Sequence, residues 1–153
     1  MMPEQKPGRS EQSVSTPQEF INAVENRFGP LTVDLAADEF NAKASCYFDE
    51  QTNSLAQDWN KYEGNLWCNP PYANIGLWAS KAAELKFGTR VLMLVPASVG
   101  SNWYADNVHD RAYVLALNPR LTFVGHTSSY PKDLILCCYG FGFKGFDVWR
   151  WKD

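Results

Sequence analysis

The sequence predicts an α/β fold in which a mostly parallel sheet is closed by a carboxyl-terminal antiparallel hairpin. Apolar runs of strand length alternate with segments whose apolar residues recur at helical spacing, which is typical of successive β-α-β units. The run VLMLV at 91–95 is apolar throughout, as expected for a strand buried on both faces of a parallel sheet. The last two runs, LILCCY at 134–139 and FDVWRW at 146–151, are joined by a loop too short for a crossover helix, which indicates antiparallel pairing.

The first helix and the first strand are predicted from local signals. Thr16 is a suitable N-cap, Pro17 suits the first helical position, and Glu19 completes a capping box with Thr16. The segment LTVDLA at 31–36 then alternates apolar and polar residues, which predicts a strand with Asp34 near its carboxyl end. Ligands of open α/β sheets bind beyond the carboxyl ends of the strands, so Asp34 is predicted to lie at a binding site.

The middle of the chain continues the alternation of strands and helices. Residues 37–63 show no sustained period and are predicted to be mostly loops. The short apolar run NLWC at 65–68 is closed by two prolines and is predicted to be a central strand. Asn74 and Ser101 can each cap a helix, and AYVLAL at 112–117 is predicted to be the next strand.

Composition predicts one soluble domain, residues 16–153, after a flexible polar tail, residues 1–15. No apolar stretch approaches the roughly 20 residues of a membrane span, so we expect a cytoplasmic protein that does not enter membranes. The four cysteines form no C-x-x-C pair and the two histidines are far apart in sequence, so no metal site is predicted. Acidic residues concentrate in the first half and basic residues in the second, which favours a polyanionic partner for the second half.

The motif Asn69-Pro70-Pro71-Tyr72 is the most informative feature, because it follows a predicted strand and precedes a predicted helix. An exocyclic aromatic amine is a poor nucleophile, since its lone pair is delocalised into the ring. Two acceptors facing the amine can localise that pair, namely the Asn69 side-chain oxygen and the Pro70 backbone carbonyl. The two proline rings restrict the backbone, and Tyr72 offers an aromatic face for a base extruded from a duplex.

N-P-P-Y is a form of the [DNS]-P-P-[YF] signature of amino-directed methyltransferases. The run from Thr16 to Tyr72 resembles the phage-type DNA N6-adenine methyltransferase (Dam-like) family in four separated stretches: TPQEF, VDLAADEFNAKASCYF, SLAQDW and LWCNPPYANIGLW. Weaker similarity continues to the last two predicted strands. The resemblance implies a Rossmann-like class I methyltransferase fold, S-adenosylmethionine as cofactor, and methyl transfer to the N6 amino group of adenine in DNA.

The resemblance also implies a set of cofactor-binding residues in the first 58 positions of the chain. They are Thr16, Pro17, Asp34, Ala36, Asn41, Asp49 and Asp58. Thr16 and Pro17 would lie at the methionine end of the cofactor, Asp49 near the ribose and Asp58 near the adenine amine. The loop after the first predicted strand departs from the wider methyltransferase pattern, because VDLAAD stands where F-x-G-x-G is usual.

The chain has no room for a separate target-recognition domain, so DNA selectivity is expected from the loops at 97–103 and 118–132. Trp103, Arg120 and Lys132 are the candidate DNA-binding residues in and beside these loops. Two other functions remain open. N-P-P-Y also serves transferases that act on RNA adenine or on protein glutamine, and the missing glycine motif is compatible with a non-catalytic DNA-binding module.

Overall fold

The computed structural model describes residues 15–153, so the predicted tail lies outside the described residues except for Ser15. Seven strands form one sheet. They are β1 (Leu31–Asp34), β2 (Cys46–Tyr47), β3 (Asn65–Cys68), β4 (Arg90–Pro96), β5 (Tyr113–Asn118), β6 (Leu134–Tyr139) and β7 (Gly145–Arg150). The helices are α1 (Gln18–Phe28), α2 (Ile75–Ala83) and α3 (Asn102–Asn107), with single 3-10 turns at Ser54–Ala56, Trp59–Lys61 and Tyr72–Asn74.

The sheet is mostly parallel, with the strand order β2-β1-β3-β4-β6-β5-β7. β2, β1, β3 and β4 pair in parallel, and β7 pairs in parallel with β5. β6 is antiparallel to both of its neighbours, β4 and β5. The α/β class and the mostly parallel sheet agree with the sequence analysis. β3 also has the residue bounds that the sequence predicted.

The predicted hairpin of the last two strands is wrong, because β5 lies between β6 and β7. The two strands do run in opposite directions, but neither pairs with the other. β6 is buried at every position and therefore belongs in the interior of the sheet, whereas β7 is almost wholly exposed and takes the edge. The loop 140–144 can span the roughly 10 Å between strands two positions apart.

Separate apolar clusters cover the two faces of the sheet. α1 buries Phe20, Ile21 and Val24 against one face, and α2 buries Ile75 and Trp78 against the other. β4 contributes alternate side chains to both clusters, as its unbroken apolar run predicted. No helix within residues 15–153 combines the length and apolarity needed to cross a bilayer.

The start of α1 differs from the predicted capping box. Pro17 occupies the N-cap position, and its carbonyl accepts the N–H groups of Phe20 and Ile21 at 3.1 and 3.2 Å. Thr16 therefore lies one residue before the N-cap, where its hydroxyl accepts a hydrogen bond from Asn69 Nδ2 at 3.2 Å. A tertiary partner has replaced the local capping interaction, and this partner belongs to the N-P-P-Y motif.

The turn after β6 depends on Gly140, which has a φ of +85° and lies against the Thr89 carbonyl. A Cβ at this position would overlap that carbonyl oxygen. We expect Gly140→Ala to lower the free energy of unfolding by about 3 kcal/mol or more, measured by urea denaturation. Gly142→Ala is the matched control, because Gly142 has a φ of +86° and open space around it. The control should cost about 1–2 kcal/mol, and equal losses in the two variants would contradict the overlap.

Candidate active site

The sheet carries a large cavity at the carboxyl ends of β1 and β3. Its volume is about 620 Å³, which lies within the usual range for small-molecule sites. The lining comes from four separate parts of the chain: the segment before α1, the end of β1 with the loop after it, the segment after β2, and the end of β3 with the N-P-P-Y motif and the start of α2. The predicted site residues that line it are Thr16, Asp34, Ala36, Asn41, Asp49, Asn69 and Pro71.

The side chain of Asn69 is oriented by a residue 53 positions earlier in the chain. β3 ends at Cys68, so Asn69 is the first residue beyond the strand and lines the cavity. Its Nδ2 donates to Thr16 Oγ1 at 3.2 Å, and Thr16 is buried. This bond holds the amino edge of the amide toward α1. Pro70 is buried and lies outside the cavity lining, whereas Pro71 is part of it.

Tyr72 begins a 3-10 turn, and its ring is half-buried. The ring of Tyr130, from the segment between β5 and β6, meets it at a steep angle with 6.4 Å between centroids. The Tyr72 hydroxyl is enclosed and has no hydrogen-bond partner among residues 15–153. Burial, with a smaller contribution from Tyr130, raises the pKa of this hydroxyl well above its usual range, so Tyr72 stays neutral.

The carboxylate of Asp34 organises the loop after β1. Asp34 is only 2% exposed, and its two oxygens accept the backbone N–H groups of Ala36 at 3.2 Å and Lys43 at 2.9 Å. Burial raises the pKa of Asp34 to about 7, although these two hydrogen bonds act in the opposite direction. Further along the loop, Asn41 Oδ1 accepts the N–H of Asp38, and Asp38 Oδ1 accepts the N–H of Asn41. Side-chain acceptors thus shape a loop that has no glycine motif.

The other two acidic residues of the predicted cofactor set have different surroundings. Asp49 lines the cavity, and its Oδ1 accepts the backbone N–H and the hydroxyl of Thr52, both at 2.9 Å. These hydrogen bonds lower the pKa of Asp49 below its usual value. Asp58 is exposed, accepts the N–H of Asn60 at the start of a 3-10 turn, and does not line the cavity. Pro17, at the N-cap of α1, also lies outside the lining.

Several residues that line the cavity were not predicted as site residues. They include Asp38, Lys43, Phe48, Ser54, Asn74 and Trp78. Asp38 and Lys43 lie in the stretch VDLAADEFNAKASCYF, whose resemblance to the family was noted, so their position in the chain was the available signal. Trp78 lies on the apolar face of α2, and that face also reaches the cavity.

Comparison with known proteins places the chain in a family. Residues 5–134 match the model of the family described as DNA N-6-adenine-methyltransferase (Dam). The chain belongs to this family. It is 31% identical over 109 residues to the DNA N-6-adenine-methyltransferase of Escherichia phage T1, a match that covers 71% of this chain and 45% of the phage protein. It is also 36% identical over 61 residues to "Putative methyltransferase YfdM" of Escherichia coli strain K12, covering 37% of this chain and 67% of that protein.

The Dam-family match covers the whole lining of the large cavity. It ends at the first residue of β6, so it contains every segment that lines the large cavity. It also leaves the rest of β6 and all of β7 outside, which are the strands whose pairing the sequence analysis predicted wrongly. The chain matches less than half the length of the phage T1 protein.

The candidate DNA-binding residues of this Dam-family chain lie outside the lining of the large cavity. Trp103 is half-buried in α3 and packs against Tyr104 with 6.1 Å between ring centroids. Arg120 forms an exposed ion pair with Asp133, Nε to Oδ1 3.0 Å, which offsets its charge. Lys132 is exposed and borders a second cavity of about 150 Å³. All of these residues follow β4 or β5, whose carboxyl ends lie at the same edge of the sheet as the large cavity.

The raised pKa of Asp34 predicts a pH dependence of stability. The folded chain holds the Asp34 proton up to about pH 7, whereas the pKa of an unperturbed aspartate carboxyl is about 3.9. The stabilisation associated with the protonated form is therefore fully present below about pH 4 and is lost as pH rises through 7. We expect the unfolding free energy of the wild type to fall relative to that of Asp34→Asn, by at most about 1.4 kcal/mol per pH unit. Urea denaturation across this range measures it, and parallel profiles for the two proteins would contradict it.

Proposed function

We propose that this chain transfers a methyl group from S-adenosylmethionine to the N6 amino group of adenine in DNA. The observation that carries the proposal is that Asn69, at the carboxyl end of β3, borders the same cavity as the Asp34 loop at the end of β1. Family membership and the name of the phage T1 relative support adenine in DNA as the substrate. A mostly parallel sheet covered on both faces supports the Rossmann-like class I methyltransferase fold.

The cavity fits S-adenosylmethionine in size, charge and polarity. Carboxylates dominate the charged part of the lining, which favours the positively charged sulfonium and amino groups of this cofactor. The carboxylate residues are Asp34, Asp38, Glu39, Asp49 and Glu50. Apolar side chains suited to the adenosine part are supplied by Leu35, Phe48 and Trp78. When bound, S-adenosylmethionine supplies an electrophilic methyl group.

Asn69 and Pro70 prepare the target amine. The Asn69 amide oxygen accepts a hydrogen bond from the adenine amine, and the Pro70 backbone carbonyl accepts a second. Together they draw the nitrogen lone pair out of the ring and stabilise the positive charge that develops on nitrogen. The hydrogen bond from Asn69 Nδ2 to Thr16 restricts the amide plane before the base arrives, so less ordering is needed during the reaction.

Tyr72 provides the stacking partner for the extruded base. Base stacking on an aromatic side chain contributes roughly 1–3 kcal/mol. Tyr130 packs against the Tyr72 ring and in turn contacts Phe123 at 5.3 Å between centroids, so the ring is restrained by the segment between β5 and β6. Stacking needs the ring face and not the hydroxyl, which agrees with the absence of a hydrogen-bond partner for that hydroxyl among residues 15–153.

Methylation by the wild type and by Asn69→Ala tests the proposal. Incubation with labelled S-adenosylmethionine and duplex DNA, followed by nucleoside analysis, should place the label in N6-methyladenine. We expect Asn69→Ala to lower the rate by about 10²-fold or more, because an acceptor for the developing charge is lost, while cofactor binding measured by calorimetry persists.

Thr16→Val is the matched control for Asn69→Ala. It keeps the shape of the side chain and removes the acceptor of the Asn69 hydrogen bond, so its rate should fall by about 10-fold, less than that of Asn69→Ala. Thr16→Ser retains the hydroxyl and should preserve the rate. Label found only in cytosine, RNA or protein, or an Asn69→Ala variant as fast as the wild type, would overturn the proposal.

Paired substitutions of Tyr72 separate the roles of its ring and its hydroxyl. We expect Tyr72→Phe to keep kcat/KM for duplex DNA, and its free energy of unfolding should not decrease, because the hydroxyl makes no hydrogen bond within residues 15–153. Tyr72→Ala removes the stacking face and should lower kcat/KM by about 5- to 150-fold. An equal loss in the two variants would assign the function to the hydroxyl and contradict base stacking.

A further inference from the structure

The large cavity contains one basic side chain among many acidic ones. Within residues 15–153, Lys43 is the only lysine or arginine in its lining, where it faces a set of five carboxylate residues already named. A ligand that carries a negative charge would be repelled by the rest of the lining. Any such group is therefore expected to lie at Lys43.

Lys43 is held at the cavity by its backbone. Its N–H donates to Asp34 Oδ2 at 2.9 Å, which ties the residue to the carboxyl end of β1. On the Lys43 side this hydrogen bond uses only the main-chain N–H, so it fixes the position of the residue and leaves the ammonium group available. Substitutions of the side chain preserve this contact.

The ammonium of Lys43 has no direct partner within the described part of the chain. Its side chain takes part in neither of the two ion pairs found between residues 15 and 153, so no carboxylate lies within 4.0 Å of it. The side chain is half-buried, and burial lowers the pKa of Lys43 while the nearby Asp34 raises it. Because this ammonium forms no ion pair within residues 15–153, a bound carboxylate would give it a charge-assisted hydrogen bond.

We propose that the Lys43 ammonium binds the carboxylate of the amino-acid end of S-adenosylmethionine. The inference rests on the proposed function and names the orientation of the cofactor in the cavity. The carboxylate is the one anionic group of this cofactor, and the amino group beside it is cationic. The hydrogen bond from the Lys43 N–H to the Asp34 carboxyl holds the two residues together. The ionised form of Asp34 and the Lys43 ammonium offer the two complementary charges. Each Asp34 oxygen accepts one N–H and retains a second lone pair for the amino group.

Two ligands that differ in the amino-acid end test this assignment. S-adenosylhomocysteine has that end, whereas 5′-methylthioadenosine has the same nucleoside and thioether without it. Calorimetric titration of both ligands should show that Lys43→Met weakens S-adenosylhomocysteine binding by about 10- to 100-fold. Binding of 5′-methylthioadenosine should change by less than about twofold. Lys43→Arg retains the positive charge and should restore most of the affinity for S-adenosylhomocysteine.

Lys86→Met is the charge-matched control, because Lys86 is exposed and outside the cavity lining. It should leave both affinities unchanged. If Lys43→Met binds S-adenosylhomocysteine as tightly as the wild type, or weakens both ligands equally, the assignment of Lys43 is overturned while the proposed function stands. If the wild type binds neither ligand, the proposed function fails, and the Lys43 assignment fails with it.

Discussion

The buried carboxylate of Asp34 is the interaction on which the cavity depends. It satisfies two backbone N–H groups on either side of a loop of the β1 to β2 connection, and this loop forms one wall of the cavity. In a glycine-rich loop, backbone flexibility permits the tight turn. Here the carboxyl group of Asp34 at the end of the strand performs the same task, and Asp38 and Asn41 extend it by reciprocal side-chain to backbone hydrogen bonds.

The surroundings of Asp34 favour both its protonated and its ionised form, for different reasons. Its burial favours the protonated form, whereas the two N–H donors and a cationic ligand favour the ionised form. Because these effects oppose each other, the protonation state of Asp34 depends on the charge of any ligand in the cavity. Binding of a positively charged cofactor would therefore draw the carboxyl toward ionisation, so the side chain that anchors the loop would also respond to the charge of a ligand.

The N-P-P-Y motif depends on a second long-range contact. The hydrogen bond between Asn69 and Thr16 joins the loop after β3 to the segment that leads into α1. The start of the helix and the orientation of the Asn69 amide are consequently coupled. The Thr16 hydroxyl makes this contact and does not cap the helix. Pro17, which has no N–H group, occupies the N-cap position.

Local patterns in the sequence determined every strand except the two-residue β2, the apolar faces of α1 and α2, and the motif at the end of β3, because each depends on neighbouring residues. The pairing of β6 with β4 and β5 was decided by the tertiary structure. A strand that is buried on both faces takes an interior position in the sheet, provided that its connecting loops are long enough to allow it. The same distinction holds in the site. Asp34 and Asn69 were predictable from their positions at strand ends. The tertiary structure decided that Lys43 lines the cavity and that Asp58 and Pro17 do not, because the lining is assembled from segments that are distant in sequence.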